Sequence, residues 1–386
     1  LTLTNTTLLT PSLTPNTPPV LLTKRSTTLV LLSTTLKHST ELLFFPSSSD
    51  PTPQWTMTIF TLFDAFDYTP LGGEDGEVLT VRANGDKLYL AVVNLWSQIV
   101  CLKSFQPYQD KTVKFDKVWV ERREDGLGGV VISQNGDRVI MAAIDYSACA
   151  SSGSIAVGER FILEEVAQFS AVTTSMGVGY LAVLQSGVNN VSHLFSFSMS
   201  TAIPQHLTNY TSTFSADILN FASFSSENSS SLVQVYNFRN TSLLEIEYFL
   251  DSSGKISSIA YATYNKIFGY DGYNISINEK YISHLVQNST NTTDFLYTIY
   301  SRSNNFGGNG YTFSTLQLTP TIKYISFPPC PTTSCNFHLF PPSTNSTLTL
   351  TTYTLSPLSL TSTTPPLPQA LLLFTPPPTP KSTPSQ

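Results

Sequence analysis

The apolar positions of this chain fall in short, near-continuous runs that no helical period connects. LYLAVV (88–93), QIVCL (98–102), VKFDKVWV (113–120), GVVI (129–132), RVIMAAI (138–144) and GYLAVL (179–184) are examples. HLFSFSM (193–199), SLVQVYNF (231–238), SLLEIEYFL (242–250), DFLYTIY (294–300) and TIKYISF (321–327) continue the series. All are rich in β-branched and aromatic residues and are bounded by Gly, Asn, Asp or Ser, so each reads as a strand. Only GERFILEEVAQF (158–169) has a helical alternative, and it fits a strand equally well.

The runs repeat. NGDKLYLAVV (84–93) matches NGDRVIMAAI (135–144), SMGVGYLAVL (175–184) follows, and SLVQVY (231–236) lies further on. Each Asn-Gly supplies the positive-φ pair of a tight hairpin turn. Spacings of about 40–50 residues with several strands per unit are the mark of propeller blades. The expected fold is therefore all-β, with an irregular β-propeller-like core of about five or six blades. A tandem of β-sandwich domains is the alternative, since no WD, kelch or other blade signature is present.

The ends are written differently. Residues 1–40 hold 24 Leu or Thr, and residues 341–386 hold 11 prolines and one charge, Lys381. The expected organisation is an N-terminal extension (1–54), a propeller-like core (55–330) and a Pro/Thr/Ser-rich C-terminal extension (331–386). The final TPPPTPKSTPSQ is expected to be extended, because each proline removes a donor and fixes its own φ. LTLT (1–4), WTMTIFTLF (55–63) and TLTLTTYTL (347–355) alternate apolar residues with Thr, as edge strands do. Such strands must find a partner, within the chain or on a neighbour.

Charge enters next because there is so little of it. Charged residues are 12% of 386, with a net charge of −6 and a pI near 5.4. That balance gives no basic footprint for nucleic acid. Nine Asn-x-Ser/Thr triplets mark candidate N-glycosylation sites, at Asn5, Asn190, Asn209, Asn228, Asn240, Asn274, Asn288, Asn291 and Asn345. Residues 74–165 carry 24 of the 46 Asp, Glu, Lys and Arg residues and no sequon, whereas 166–340 carry 14 charges and seven sequons. One part is solubilised by charge and the other by sugar. That complementarity points to an extracellular glycoprotein, and a first residue that is Leu fits a trimmed mature form.

The four cysteines fit that compartment. Cys101 with Cys149 and Cys330 with Cys335 is the simplest of three disulfide pairings. A zinc pair at Cys330 and Cys335 is disfavoured because no second Cys or His pair matches it. No run approaches the roughly 18–20 apolar residues of a membrane-spanning helix.

The search for chemistry returns no catalytic, cofactor or metal residue. GLGGVV (126–131) is followed by a strand rather than the helix start that a phosphate loop needs, so it reads as a hairpin turn. His38, His193, His206, His284 and His338 have no His-x3-His spacing and read as ordinary strand or surface residues. Asp86 and Asp137 at the repeat spacing, with the adjacent Glu164 and Glu165, are the acids a propeller glycosidase would need. Asp after Asn-Gly is also simply the next letter of a hairpin turn.

The Pro/Ser/Thr segments LTPSLTPNTPP (9–19) and PPLPQ through TPPPTP (365–380) resemble the hydroxyproline-rich structural glycoproteins of algal walls and flagellar hairs. The resemblance covers under a quarter of the chain and lacks a regular Ser-Pro repeat. It implies O-linked sugar, with Pro11, Pro15, Pro18, Pro19, Pro365, Pro366, Pro376, Pro377, Pro378 and Pro380 as candidates, and a structural role. The expected function is the repeating subunit of an extracellular filament or sheath. Its partners would be copies of itself through 74–165 and the strand-like termini. The alternatives are a secreted carbohydrate- or protein-binding propeller with Trp96 or Trp119 at its mouth, and, third, a glycoside hydrolase.

Overall fold

In a computed structural model the chain is almost entirely strand. It describes residues 2–9, 20–25, 27–34, 39–45, 54–59, 63–72, 76–94, 99–107, 115–174, 177–185, 191–211, 216–226, 229–238, 242–265, 270–277, 281–288, 290, 295–302, 312–318, 324–326, 335–340 and 348–355. These residues form seven four-stranded antiparallel sheets.

The first strand of the chain, β1 (Thr2–Leu9), belongs to the last sheet. Blade 1 is β2 (Val20–Lys24), β3 (Thr27–Thr34), β4 (Ser39–Phe45) and β5 (Trp55–Ile59). Blade 2 is β6 (Ala65–Pro70), β7 (Val78–Asn84), β8 (Lys87–Val93) and β9 (Ile99–Phe105). Blade 3 is β10 (Lys117–Arg122), β11 (Gly128–Asn135), β12 (Arg138–Asp145) and β13 (Ala156–Leu163). Blade 4 is β14 (Val166–Thr173), β15 (Val178–Gln185), β16 (Val191–Ser198) and β17 (Pro204–Thr211). Blade 5 is β18 (Ala216–Ser226), β19 (Ser229–Phe238), β20 (Ser242–Leu250) and β21 (Ile256–Asn265). Blade 6 is β22 (Tyr270–Ile277), β23 (Tyr281–Asn288), β24 (Phe295–Ser301) and β25 (Thr312–Leu318). Blade 7 is β26 (Tyr324–Ser326), β27 (Cys335–Phe340) and β28 (Leu348–Leu355), completed by β1.

The order is that of a β-propeller. β2 lies against β6, β6 against β10, β14 against β18, β18 against β22 and β22 against β26. Blades 3 and 4 meet at β12 and β14, and β26 of blade 7 returns to β2 of blade 1, closing the ring. Seven sheets in a ring replace the five or six expected, and a tandem of sandwiches is ruled out. The sheets also run past the boundaries read at 54 and 331. Blade 1 lies in the Leu/Thr-rich stretch, and Thr2–Leu9 pairs antiparallel with Leu348–Leu355. The terminal strands thus meet each other within the chain, with Thr2–Leu9 at the edge of the sheet. Residues 357–386 lie outside the described ones.

The apolar runs follow from this packing. Blades 2 to 5 are covered on both faces, so successive residues serve different interfaces. Val78 packs towards blade 1, with Leu42 and Phe44, while Leu79 packs towards blade 3, with Val120 and Val131. A strand covered on both sides has little room for polar alternation, which explains LYLAVV, RVIMAAI and GYLAVL. Three further interfaces are built in the same way, and Trp119, Val139, Phe169 and Phe197 belong to the one between blades 3 and 4.

The Asn-Gly turns fall between the second and third strands of blades 2 and 3, with Gly85 at φ +60° and Gly136 at φ +55°. NGDKLYLAVV and NGDRVIMAAI are therefore equivalent. SMGVGYLAVL and SLVQVY instead contain β15 and β19, second strands of their blades, so the repeat slips by one strand there. GERFILEEVAQF is two strands, β13 and β14, divided at a blade boundary where Glu165 takes φ +59°. The single described helix is one turn, Cys149–Ser152.

GLGGVV forms the β10–β11 hairpin, and its Gly129 is held by packing. A Cβ there would overlap the Glu121 carbonyl oxygen across the pair. Gly129→Ala is expected to cost about 1–3 kcal/mol by overpacking, read as a lower urea midpoint with an unchanged slope.

Buried tyrosines give the fold an alkaline limit. Burial raises the hydroxyl pKa of Tyr68, Tyr146, Tyr236 and Tyr300, and pushes Tyr180 up to about 12. These groups keep their protons in the native state while the unfolded chain loses them near pH 10. The unfolded state then binds fewer protons, so stability falls as pH rises. The urea midpoint is expected to hold up to pH 9 and drop through pH 10–12.

Candidate functional site

Described side chains converge on an open cleft where blade 3 passes into blade 4. Leu163, Glu164 and Glu165, joining β13 to β14, form one wall of a cleft of about 340 Å³. Val166, Val183, Gln185, His193, Phe195, His206 and Asn209 line the rest of it. Its position follows from register. Val183 pairs with His193, Leu181 with Phe195, Phe195 with His206, and His193 with Asn209, so one sheet face carries them all. His206 and Asn209 are an odd number of residues apart and would point opposite ways in a regular strand. A register shift between Leu194 and Phe195 places one extra residue on β17, and this bulge turns both to the cleft.

A chain of hydrogen bonds crosses the cleft. Gln185 Nε2 donates to Glu165 Oε2 at 2.7 Å, His193 Nε2 lies 3.1 Å from Gln185 Oε1, and His193 Nδ1 lies 3.3 Å from His206 Nε2. Phe195 packs edge-on to His206, with ring centroids 5.4 Å apart, and tilted to His193 at 6.1 Å. Desolvation, then the neighbouring His206, lowers the His193 pKa and favours its neutral form. Both histidines were read from sequence as ordinary, because the His-x3-His spacing tests helices and misses pairs on adjacent strands. His284 is buried in β23, His338 falls within β27, and His38 lies outside the described residues.

The first strands of blades 1–3 hold a second polar group, consumed by structure. Lys24 Nζ donates to Asp67 Oδ2 at 2.6 Å and to the Val120 carbonyl at 2.7 Å, and Val120 N donates to Asp67 at 2.8 Å. Burial raises the Asp67 pKa against the pull of Lys24. Arg25 Nε and Thr69 Oγ1 both donate to Glu121 Oε1, at 3.1 and 2.6 Å. Lys117 donates to the Phe169 carbonyl at 2.8 Å, and burial lowers its pKa. Trp119 is buried between blades 3 and 4, edge-on to Phe197, with Lys24 Nζ 5.2 Å from its ring centroid. It belongs to the core rather than to a mouth, and Trp96 lies outside the described residues.

Of the four candidate acids, Glu164 and Glu165 line the cleft and the other two lie elsewhere. Asp86 and Asp137 sit in the hairpin turns of two different blades, Asp137 exposed, and Glu164 is an exposed residue of the β13–β14 link. Among the described residues no three His, Cys, Asp or Glu side chains converge as a metal cage.

The sequons divide the ring. Asn209 is exposed on β17, Asn274 and Asn288 fall within β22 and β23, and Asn5 within β1. Asn190, Asn228, Asn240, Asn291 and Asn345, and all ten candidate prolines, lie outside the described residues. In chain order every sequon belongs to blades 4–7 or the loops within them, and blades 1–3 have none.

Cys101 of β9 and Cys149 of the helical turn after β12 form a disulfide, with Cα atoms 5.5 Å apart. Beside it, Arg160 of β13 donates to the Gln106 and Pro107 carbonyls at 2.9 and 3.1 Å, so the outer edges of blades 2 and 3 are stitched together. Cys330 lies outside the described residues, and Cys335 opens β27. No described helix is long and apolar enough to cross a membrane.

No protein-family model and no curated protein matches the chain. Among solved structures it is similar to the WD40 domain of SCAP from fission yeast, at 10% identity over 90% of this chain and 98% of that one, with a TM-score of 0.48. It is also similar to BBS1N in complex with ARL6DN, at 8% identity over 93% and 98%, TM-score 0.49. The periplasmic gluconolactonase PpgL of Pseudomonas aeruginosa is similar at 12% identity over 77% and 84%, TM-score 0.46. The propeller assignment itself rests on the sheet order.

Proposed function

We propose that this chain is an extracellular glycoprotein whose propeller serves as a repeating structural subunit, assembling with copies of itself through blades 1–3. The observation that carries this reading is the division of the ring into three consecutive sequon-free blades and four that carry every sequon. Glycans occlude the surface they cover, so contacts between copies belong on the bare arc. That arc exposes Ile99 and Leu102 on β9, Leu127 in the β10–β11 turn and Ile162 on β13, beside charges such as Arg138 and Glu164. Apolar residues on edge strands drive association, and interspersed charges of both signs select its register. The stitched edge supports a rigid contact, and the disulfide fits the oxidising compartment. With the terminal strands paired within the chain, the faces and outer edges of the blades are left to make the contacts.

Replacing Leu102 and Ile162 together by Asp is expected to abolish assembly measured by light scattering and to leave monomers. Tyr261→Asp, on an outer strand of the sugar-bearing arc, is expected to leave assembly intact. Undiminished assembly of the double variant would overturn the reading.

A second reading, a secreted binding module, is favoured by the cleft on blade 4, where two imidazoles and an amide face open space.

A further inference from the structure

The orientation of the two imidazoles in the blade 4 cleft can be worked out atom by atom. A carboxylate only accepts, so Glu165 Oε2 must face the NH2 group of Gln185, 2.7 Å away. That fixes the amide, and its carbonyl oxygen therefore faces His193 Nε2 at 3.1 Å. His193 Nε2 must then carry the proton. The tautomer follows: Nδ1 bears a lone pair, aimed at His206 Nε2 3.3 Å away.

This is the way metal-binding histidines are held. Their second nitrogen donates to a carbonyl or carboxylate, which fixes the tautomer and raises the basicity of the first. Two imidazole nitrogens on one tetrahedral ion, at about 2.0–2.1 Å each, stand roughly 3.3–3.4 Å apart. The pair has that spacing. His206 Nε2 donates to the His193 Nδ1 lone pair, and the His206 ring carries its proton on Nδ1 instead when an ion takes the place of that hydrogen bond. Its supports are also in place: Phe195 packs on both rings, a bulge turns His206 inward, and Glu165 is set by a left-handed backbone at φ +59°. A left-handed conformation at a non-glycine residue costs about 1–3 kcal/mol and persists where the surroundings enforce it.

We propose that His193 Nδ1 and His206 Nε2 chelate a divalent transition-metal ion of the zinc, nickel and copper class. Neutral imidazole nitrogens suit these ions and not magnesium or calcium. Two protein ligands leave the remaining positions open to water or to an oxygen-bearing ligand entering the cleft, so the ion would exchange readily. Glu165 and Gln185 act as positioning residues, through His193. The cleft lies at the border of blades 3 and 4 and shares Glu164 and the sequon Asn209 with the assembly reading. Zinc binding is therefore titrated on monomers both before and after enzymatic removal of N-linked sugar, where loss of assembly and loss of binding are read separately.

The test is calorimetric titration of zinc chloride into the native glycosylated protein at pH 7.5 in a non-chelating buffer. His193→Ala, His206→Asn and Glu165→Gln are run beside it, each confirmed folded by circular dichroism. One saturable zinc site is expected, with no response to magnesium. Either histidine variant should lose at least about tenfold in affinity, and Glu165→Gln about 10-fold or more through lost orientation. With copper bound instead, electron paramagnetic resonance should show coupling to two imidazole nitrogens, falling to one in His206→Asn. Absence of saturable binding, equal affinity in folded His206→Asn, or competition by magnesium would overturn the proposal.

Discussion

Reducing the Cys101–Cys149 bridge is expected to lower the stability of the native protein by about 4 kcal/mol, within the 2–5 kcal/mol common for such bonds. The two cysteines are 48 residues apart, so the bond removes a long loop's freedom from the unfolded chain. It also spans two blades, from the outer strand of blade 2 to the end of the third strand of blade 3. Cys101 and Cys149 are both buried, and their surroundings include Leu90, Val92, Ile144 and Tyr146. The measurement is the urea midpoint with and without reductant, repeated on Cys101→Ser/Cys149→Ser. The double variant should match the reduced protein and no longer respond to reductant. A midpoint that reductant leaves unmoved would contradict the bridge's role.

Arg302→Met is expected to cost about 3–5 kcal/mol, the usual penalty for leaving a buried charge without its partner. Arg302 follows β24 of blade 6 and reaches β20 of blade 5. Its Nε lies 2.7 Å from Glu245 Oε1, and a terminal nitrogen lies 3.3 Å from Glu247 Oε2. The Arg302 and Glu245 side chains are 6% and 5% exposed, and Tyr264 donates to the same Glu245 carboxylate. Arg302 also lies over the Phe224 ring, 4.8 Å from its centroid. Removing the guanidinium strands the Glu245 carboxylate between two blades. Adding Glu245→Gln to Arg302→Met should recover part of the loss, because the stranded charge is gone. A loss below about 1 kcal/mol for the single variant would place the pair with solvent-screened surface bridges instead.

Much of the propeller was legible in the sequence, for reasons tied to particular residues. Strands buried on both faces leave dense apolar runs, and the Asn-Gly turns at Gly85 and Gly136 punctuate blades 2 and 3. Blade 1 was hidden because its first turn uses Lys24 and Arg25, with Arg25 at φ +48°, where a glycine would have announced it. Outer strands such as β17, PQHLTNYT, are half solvated and carry little apolar signal. Closure of the ring joins Thr2–Leu9 to Leu348–Leu355, a pairing with no local signature at all. The histidine pair escaped for a similar reason. His193 and His206 are 13 residues apart, on neighbouring strands, and meet only because a bulge adds one residue to β17.

The uneven distribution of sequons was readable in the sequence, but its place in the ring was not. The linear stretch 74–165 makes up blade 3 and most of blade 2, and the sequon-free blade 1 adjoins them in the ring. The sequon-free arc is thus larger than that stretch, and it includes blade 1.

Electron microscopy of the native, undenatured material tests self-assembly through the bare arc most directly. Regular filaments in which blades 1–3 lie between subunits and blades 4–7 carry sugar on the outside are the expected result. Separate single particles, or filaments whose contacts bury the sugar-bearing blades, would contradict it.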